Sequence, residues 1–509
     1  MKGLFAAALV CLGASAAADE SIRVVLLHTN DVHGQAQPRR AFWKGGEDPP
    51  LAGGLPRVAA YVRAVRAETE ASGAGLLVVD AGDWFQGTPE GLIESGRGFA
   101  RAVAAVGYDA LCVGNHELDH GLEPLKRMLS DYRLPAVCAN VYVVEDGGRG
   151  QRADWVAPWR VFDVAGVRVG VVGLLTPVTP SISHPDAKTL WFENPARALH
   201  RARDALAGDV DWVLPVTHLG IEGDRELARA HSDLPLIVGG HSHTFLAEGE
   251  RVGTTLVAQV GSKASAVGRA DLWFERGTLR LLRLEYQVVE LEREPAAEWR
   301  NAEVDEICAH LVEFSEREMG TVVGTLSGPL PRSRGRFSSS PAGNLITDAL
   351  LAAMEGDVAI QNRGGIRADL DAGPVTRREL FELLPFGNHL ARLTVSGEVL
   401  RAVVRAAVEG TAHTGLEFSG MVVEVRVDGE GRGTLARILV HGEPLEPERE
   451  YRLVTNDFLA DGGDGYLALA GIEERDEKPQ LLREMLEQHF RRAGEVTPPV
   501  EERYRVLER

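Results

Sequence analysis

RVVLLHTNDVHG, residues 23–34, begins with an apolar run from Val24 to Leu27 and ends on two metal-binding residue types, Asp31 and His33. A short apolar run closed by polar, turn-forming residues reads as a buried strand. The arrangement recurs four times. GLLVVDAG (75–82) precedes Asp83, ALCVG (110–114) precedes Asn115 and His116, DWVLPVT (211–217) precedes His218, and LPLIVGG (234–240) precedes His241 and His243. Between these runs lie Ala-, Arg- and Glu-rich segments of helical period, such as LPRVAAYVRAVRAETEA (55–71). From Ile22 to about Arg280 the alternation predicts an α/β layered sheet. In open α/β sheets, sites form beyond the carboxyl ends of the strands, where the five polar segments are expected to converge.

Imidazole, carboxylate and amide oxygen together suit divalent ions such as Zn²⁺ or Mn²⁺. Two ions need a shared ligand, and Asp83 is the choice for that bridge. Asp31 and His33, two residues apart beyond a strand, are placed to meet one metal, while His241 and His243 each face a different ion. A pair of ions about 3.5–4 Å apart activates water and clamps an in-line displacement at phosphorus. A lone Asp-x-His or His-x-His says little; the ordered set of five carries the reading. His28 is read as a hydrogen-bonded structural histidine. His120, His231, His310 and His489 are read as surface or core residues.

The chain has 509 residues, 44% apolar and 25% charged, which is enough to bury a sizeable core and excludes general disorder. Its net charge of −19 argues against a nucleic-acid polymer as partner, since polyphosphate binding relies on clustered Lys and Arg. A small phosphate held by a few arginines is compatible with it. Residues 295–319 carry Val304, Ile307, Cys308, Leu311, Val312 and Phe314 near helical spacing and read as a connecting helix. A second unit follows Gly320.

Lys2, the apolar run Leu4–Leu12 and the small residues Gly13–Ala18 read as an export signal cleaved near Ala16–Ala18. No later stretch is long and apolar enough to cross a bilayer, so no stable membrane insertion is expected after cleavage. Cys112, Cys138 and Cys308 would remain, an odd and sparse set that makes no disulfide framework. Cys112 and Cys138 lie in apolar runs and are expected in the core.

HTNDVHG (28–34), GDWFQGT (82–88), GNHELDHG (114–121), THLG (217–220) and GGHSH (239–243) resemble the calcineurin-like metallophosphoesterases, in particular their exported 5′-nucleotidase/UDP-sugar hydrolase branch. GRFSSSPAGNLITDA (335–349), NRGGIR (362–367), LPFGN (384–388) and TNDFLADGGDGY (455–466) extend the resemblance to that branch's substrate-binding domain. It implies a four-layer α/β sandwich metallophosphoesterase domain (19–294) after a signal peptide (1–18). A helical linker (295–320) joins it to a smaller α/β nucleotide-binding domain (321–509). One metal would take Asp31, His33, Asp83 and His243, the second Asp83, Asn115, His218 and His241; Zn, Mn and Co are not distinguished. His116 and Asp119 would form a catalytic dyad. Phe386 and Phe458 would sandwich the nucleobase, Arg336, Asn362 and Arg367 would hold phosphate or ribose groups, and Asp464 would accept from the ribose hydroxyls. Leu118 and His120 replace aromatic residues of the NHEFDYG form. Arg363 stands where the family carries a small residue, and either adds a phosphate contact or points to solvent.

The implied reaction is metal-dependent hydrolysis of nucleoside 5′-monophosphates to nucleoside and phosphate, in the periplasm or outside the cell. Activity on nucleoside di- or triphosphates or UDP-sugars is compatible with the same site. Alternatives are a 2′,3′-cyclic nucleotide phosphodiesterase with 3′-nucleotidase activity, a thiosulfate-oxidation hydrolase, and an exported nucleotide-binding protein with a vestigial site. The paired phenylalanines favour a base-bearing substrate. The oligomeric state is open.

Overall fold

A computed structural model describes residues 21–507 apart from 42–43, 45–48 and 333–334, so the proposed signal peptide lies outside the described residues. The chain divides into two compact units. The first comprises residues up to Trp84, Ala100–Pro177 and Thr189–Cys308, and the second Phe85–Phe99, Val178–Lys188 and Ala309–Arg509.

In the first unit, Ser21–Thr29 pairs in parallel with Gly75–Asp80, which continues to Ala110–Cys112 and Ala136–Val137. On its other side it pairs antiparallel with Ala266–Glu275, and Leu281–Glu290 closes that edge. A second six-stranded sheet holds four parallel strands, Val167–Leu175, Trp212–His218, Leu236–Gly239 and Thr255–Ala258, between antiparallel edges.

Strand side chains alternate between faces, so each run splits its residues between two layers. Val24, Leu26, Leu77 and Val79 from the first sheet share one buried core with Val169, Val171, Leu214, Val216 and Val238 from the second. From the opposite face of the second sheet, Val172, Leu174 and Ile237 pack with Leu199, Ala202 and Leu227 of helices Pro195–Leu206 and Gly220–Ala230. Helix Leu55–Ser72 packs against strand Gly75–Asp80 of the first sheet, so helices accompany both sheets. Cys112, Cys138 and Cys308 are all buried.

The second unit has a five-stranded sheet, Leu416–Ser419, Val358–Asn362, Glu450–Asn456, His389–Ser396 and Arg475–Leu481 in spatial order. Helices Pro341–Met354, Gly397–Glu409 and Leu482–Ala493 supply buried residues to its two cores. Helix Ala302–Met319 contains the last of the points at which the chain passes from one unit to the other. Among the described residues, no helix is long and apolar enough to cross a membrane.

His28 is structural, as its position inside the first strand implies. Its ring stacks on Tyr286, and Nε2 meets the Tyr286 hydroxyl at 3.0 Å. Burial pushes its pKa down to about 3, so it is neutral. The ring fills the space above its strand partner Gly268, where a Cβ would lie 1.9 Å from Nε2. Gly268→Ala is therefore expected to cost about 1–3 kcal/mol by overpacking. Thermal denaturation should show a smaller loss when the change is made in a His28→Ala background; additive losses would contradict the packing argument.

Candidate functional site

The five polar turns converge at the carboxyl ends of both parallel arrays. Asp31 and His33 follow Ser21–Thr29, Asp83 follows Gly75–Asp80, and Asn115 and His116 follow Ala110–Cys112. His218 ends one strand of the second sheet, and His241 and His243 follow another. Two groups of donor atoms result: Asp31, His33 and His243, and Asp83, His218 and His241, with all atoms of a group within 4.8 Å of one another. His243 Nε2 lies 2.8 Å from His33 Nε2 and 3.3 Å from Asp31 Oδ1. His33 Nε2 also comes within 4.0 Å of Asp83 Oδ2, so the two groups adjoin at Asp83.

The donor set fits divalent metals. His218 Nδ1 donates to the Ala81 carbonyl at 2.7 Å, which leaves the Nε2 lone pair facing inward. That nitrogen is buried, 3.0 Å from Asp83 Oδ2. Burial opposes charge on His218, but Asp83 and Asp31 raise its pKa to about 10. Burial likewise pushes Asp31 and Asp83 up, yet the surrounding imidazoles hold both below the carboxylate range. His241 goes the other way, to about 3, through burial and its neighbour His218. Buried carboxylates among imidazole lone pairs make a site that attracts a cation, whether proton or metal.

Further hydrogen bonds fix the candidate ligands. Asn30 Nδ2 donates to Asp31 Oδ2 and to the Gly261 carbonyl, both at 2.7 Å, and the His241 amide meets Asp31 Oδ2 at 3.0 Å. The His116 amide donates to Asp83 Oδ1 at 2.9 Å, and Asn115, directly before it, is buried. His116 Nδ1 and Asp119 Oδ2 are 2.6 Å apart, and His116 Nε2 is 3.9 Å from Asp83 Oδ2.

In the second unit, Asn362 Nδ2 and Thr414 Oγ1 both donate to Asp464 Oδ2, at 2.7 and 2.8 Å. Burial raises the Asp464 carboxyl pKa. The Arg367 guanidinium lies 5.8 Å from the Phe386 ring centroid, and both Phe386 and Phe458 are half-buried. Arg336 has a separate neighbour, with Nη2 donating to the Val408 carbonyl at 3.2 Å.

Residues 24–245 match the model of the calcineurin-like phosphoesterases, and residues 322–471 that of the 5′-nucleotidase C-terminal domain. Protein UshA of Yersinia enterocolitica is 28% identical, with 88% of this chain and 87% of that protein covered. Snake venom 5′-nucleotidase of Naja atra is 28% identical over 95% of this chain and 98% of its own. The crystal structure of a 5′-nucleotidase precursor from Thermus thermophilus superposes with a TM-score of 0.84 at 30% identity, covering 96% of this chain and 100% of that one. The chain belongs to the 5′-nucleotidase family. It is a phosphohydrolase of the metal-dependent, calcineurin-like type.

Within this family member, several buried groups that support the ligands have no mark in the sequence reading. Glu117 is fully buried and accepts the amides of Asp83, Trp84 and Gly114 at 2.9, 2.7 and 2.7 Å, tying the bridging-aspartate turn to the His116 turn. Burial, and then Asp83, raises its pKa to about 8. Asp80 accepts the Thr29 hydroxyl behind the first sheet's ligands, and Asp224 accepts the Thr217 hydroxyl behind those of the second. Burial raises each to about 7. The only sequence signal for Glu117 is its place directly after His116.

Five metal-ligand candidates, Asp31, His33, Asp83, His241 and His243, have φ between 50° and 81°, a region costly for side chains other than glycine. Glycines beside them permit the close approach: a Cβ on Gly114 would lie 2.2 Å from Asp83 Oδ1. Because Asp83 adjoins both groups, Asp83→Ala should abolish metal binding at both together while leaving the fold intact. Elemental analysis finding two ions per chain in an active variant would contradict the bridge.

Proposed function

We infer that the chain hydrolyses nucleoside 5′-monophosphates to nucleoside and phosphate, with two divalent ions as cofactors. The observation that carries the reading is the pair of adjoining donor groups around Asp83 in a chain that also holds the Asn362–Asp464 pair and the Arg367–Phe386 contact. We propose residues 19–294 as the dimetal domain, 295–320 as linker and 321–509 as the nucleotide-binding domain. Residues 1–18 are proposed as an export signal that places the mature chain in the periplasm or outside the cell.

Asp31, His33, Asp83 and His243 would hold one ion, and Asp83, Asn115, His218 and His241 the other. When bound, such a pair supplies a nucleophilic hydroxide and neutralises charge on the phosphoryl oxygens. Asp119 accepts from His116 Nδ1, which fixes the ring and favours its cation, so that Nε2 holds a proton for the phosphoryl group or the leaving oxygen. Arg336, Asn362 and Arg367 are assigned to phosphate or ribose groups. Two donors occupy Asp464 Oδ2, leaving Oδ1 to accept from ribose hydroxyls. Phe386 and Phe458 offer aromatic faces to the base.

Phosphate release from a substrate panel with several added metals tests the reading, and AMP should be hydrolysed. His116→Ala should lower kcat by about 10²–10⁴-fold with little change in KM. A variant with wild-type kcat on AMP would remove His116 from the mechanism. Stacking is worth about 1–3 kcal/mol per base, so Phe386→Ala and Phe458→Ala should each reduce kcat/KM for AMP about five- to a hundredfold. Ribose 5-phosphate should be hydrolysed near the wild-type rate by both. Equal losses on the two substrates would assign the rings to the core instead.

A further inference from the structure

Arg363 is half-buried, and its guanidinium closes on the turn that carries Arg336. Nη1 donates to the carbonyls of Gly335 and Arg336 at 2.7 and 3.0 Å, and Nη2 donates to that of Ser338. On the other edge, Nε lies 3.0 Å from Glu417 Oε1, a fully buried carboxylate. Glu417 also accepts the Ser340 hydroxyl at 3.1 Å, and Ser340 caps helix Pro341–Met354 through the Gly343 amide. Two glycines make room for the clasp. A Cβ on Gly343 would lie 2.2 Å from Glu417 Cγ, and one on Gly415 would lie 3.3 Å from Arg363 Cδ. The Tyr504 ring sits 5.4 Å from the guanidinium and completes the enclosure.

A planar fork with five fixed donors can hold several carbonyls of one turn at once, which a lysine cannot reproduce. The Arg336 side chain, by contrast, makes one hydrogen bond among the described residues, to the Val408 carbonyl near the end of helix Gly397–Glu409. Most of its donors remain for an anion.

We propose that Arg363 is a positioning residue that presets the 335–338 turn, so that Arg336 meets the phosphate or ribose oxygens of the substrate without first ordering its own backbone. The proposal rests on the assignment of Arg336 to substrate binding. Preorganisation of this kind acts on affinity, because the ordering cost is otherwise taken from binding free energy.

The test combines steady-state kinetics on AMP with amide hydrogen exchange across 335–338 in the full chain. Arg363→Ala should raise KM about tenfold with kcat within about twofold, and should speed exchange of the turn's amides about tenfold or more. In an Arg336→Ala background the same change should add less than about twofold to KM, since its effect passes through Arg336. Arg363→Lys keeps Glu417 paired and guards against simple misfolding; it should raise KM by less than the alanine variant, with a wild-type melting temperature. Additive effects in the double variant, or faster exchange with unchanged KM, would overturn the positioning role. Unaltered exchange would overturn the clasp whatever the substrate. A wild-type chain inert toward AMP would instead fail the nucleotidase reading, and exchange alone would then decide the clasp.

Discussion

Two buried carboxylates, Asp31 and Asp83, meet imidazoles contributed by both sheets of the first unit, and the rest of that unit is arranged around keeping them charged. Isolated ions in a low-dielectric interior are expensive unless paired. Here the pairing comes from His33 and from His218 and His243 across the sheet seam, with backbone amides of His116 and His241 as fixed donors. Neither sheet can satisfy these groups alone. Val24, Leu26, Val169 and Val216 share the core that joins the two sheets whose strand ends carry the candidate ligands.

That arrangement carries strain. Left-handed backbone at Asp31, His33, Asp83, His241 and His243 costs on the order of 1–3 kcal/mol at each residue when considered alone. It persists because neighbouring contacts over-determine it: the Asp31 amide donates to the Gly82 carbonyl and the His33 amide to that of Asp83, each at 2.9 Å. Glu117 holds the Asp83 turn through the amides of Asp83 and Trp84 and ties it to Gly114 through a third. Asp80, at a strand end, and Asp224, in helix Gly220–Ala230, each take a threonine hydroxyl from a neighbouring strand end. Ligands preset in this way lose little freedom when a cation arrives.

The layered α/β architecture and the metal-ligand candidates were legible because both leave periodic marks. Apolar runs such as Val24–Leu27 identify strands, and a ligand type directly after each run identifies the end of the sheet where they meet. Glu117, Asp80 and Asp224 were not legible, since a buried acid looks like a surface acid until the backbone amides and hydroxyls it accepts are placed around it. Arg363 was open in the sequence between a phosphate contact and solvent, and its fork instead closes on carbonyls of the 335–338 turn. Its partners are main-chain carbonyls of a turn 25–28 residues away, which no side-chain pattern records.

The central claim is that the ends of two sheets form one centre for two metals that share Asp83. Anomalous diffraction from crystals grown with Mn²⁺ or Zn²⁺, measured at the absorption edge of the added metal, tests it most directly. Two peaks about 3.5–4 Å apart should appear, one among Asp31, His33 and His243 and the other among Asp83, His218 and His241, with Asp83 between them. A single peak, or two peaks without Asp83 in common, would contradict the account.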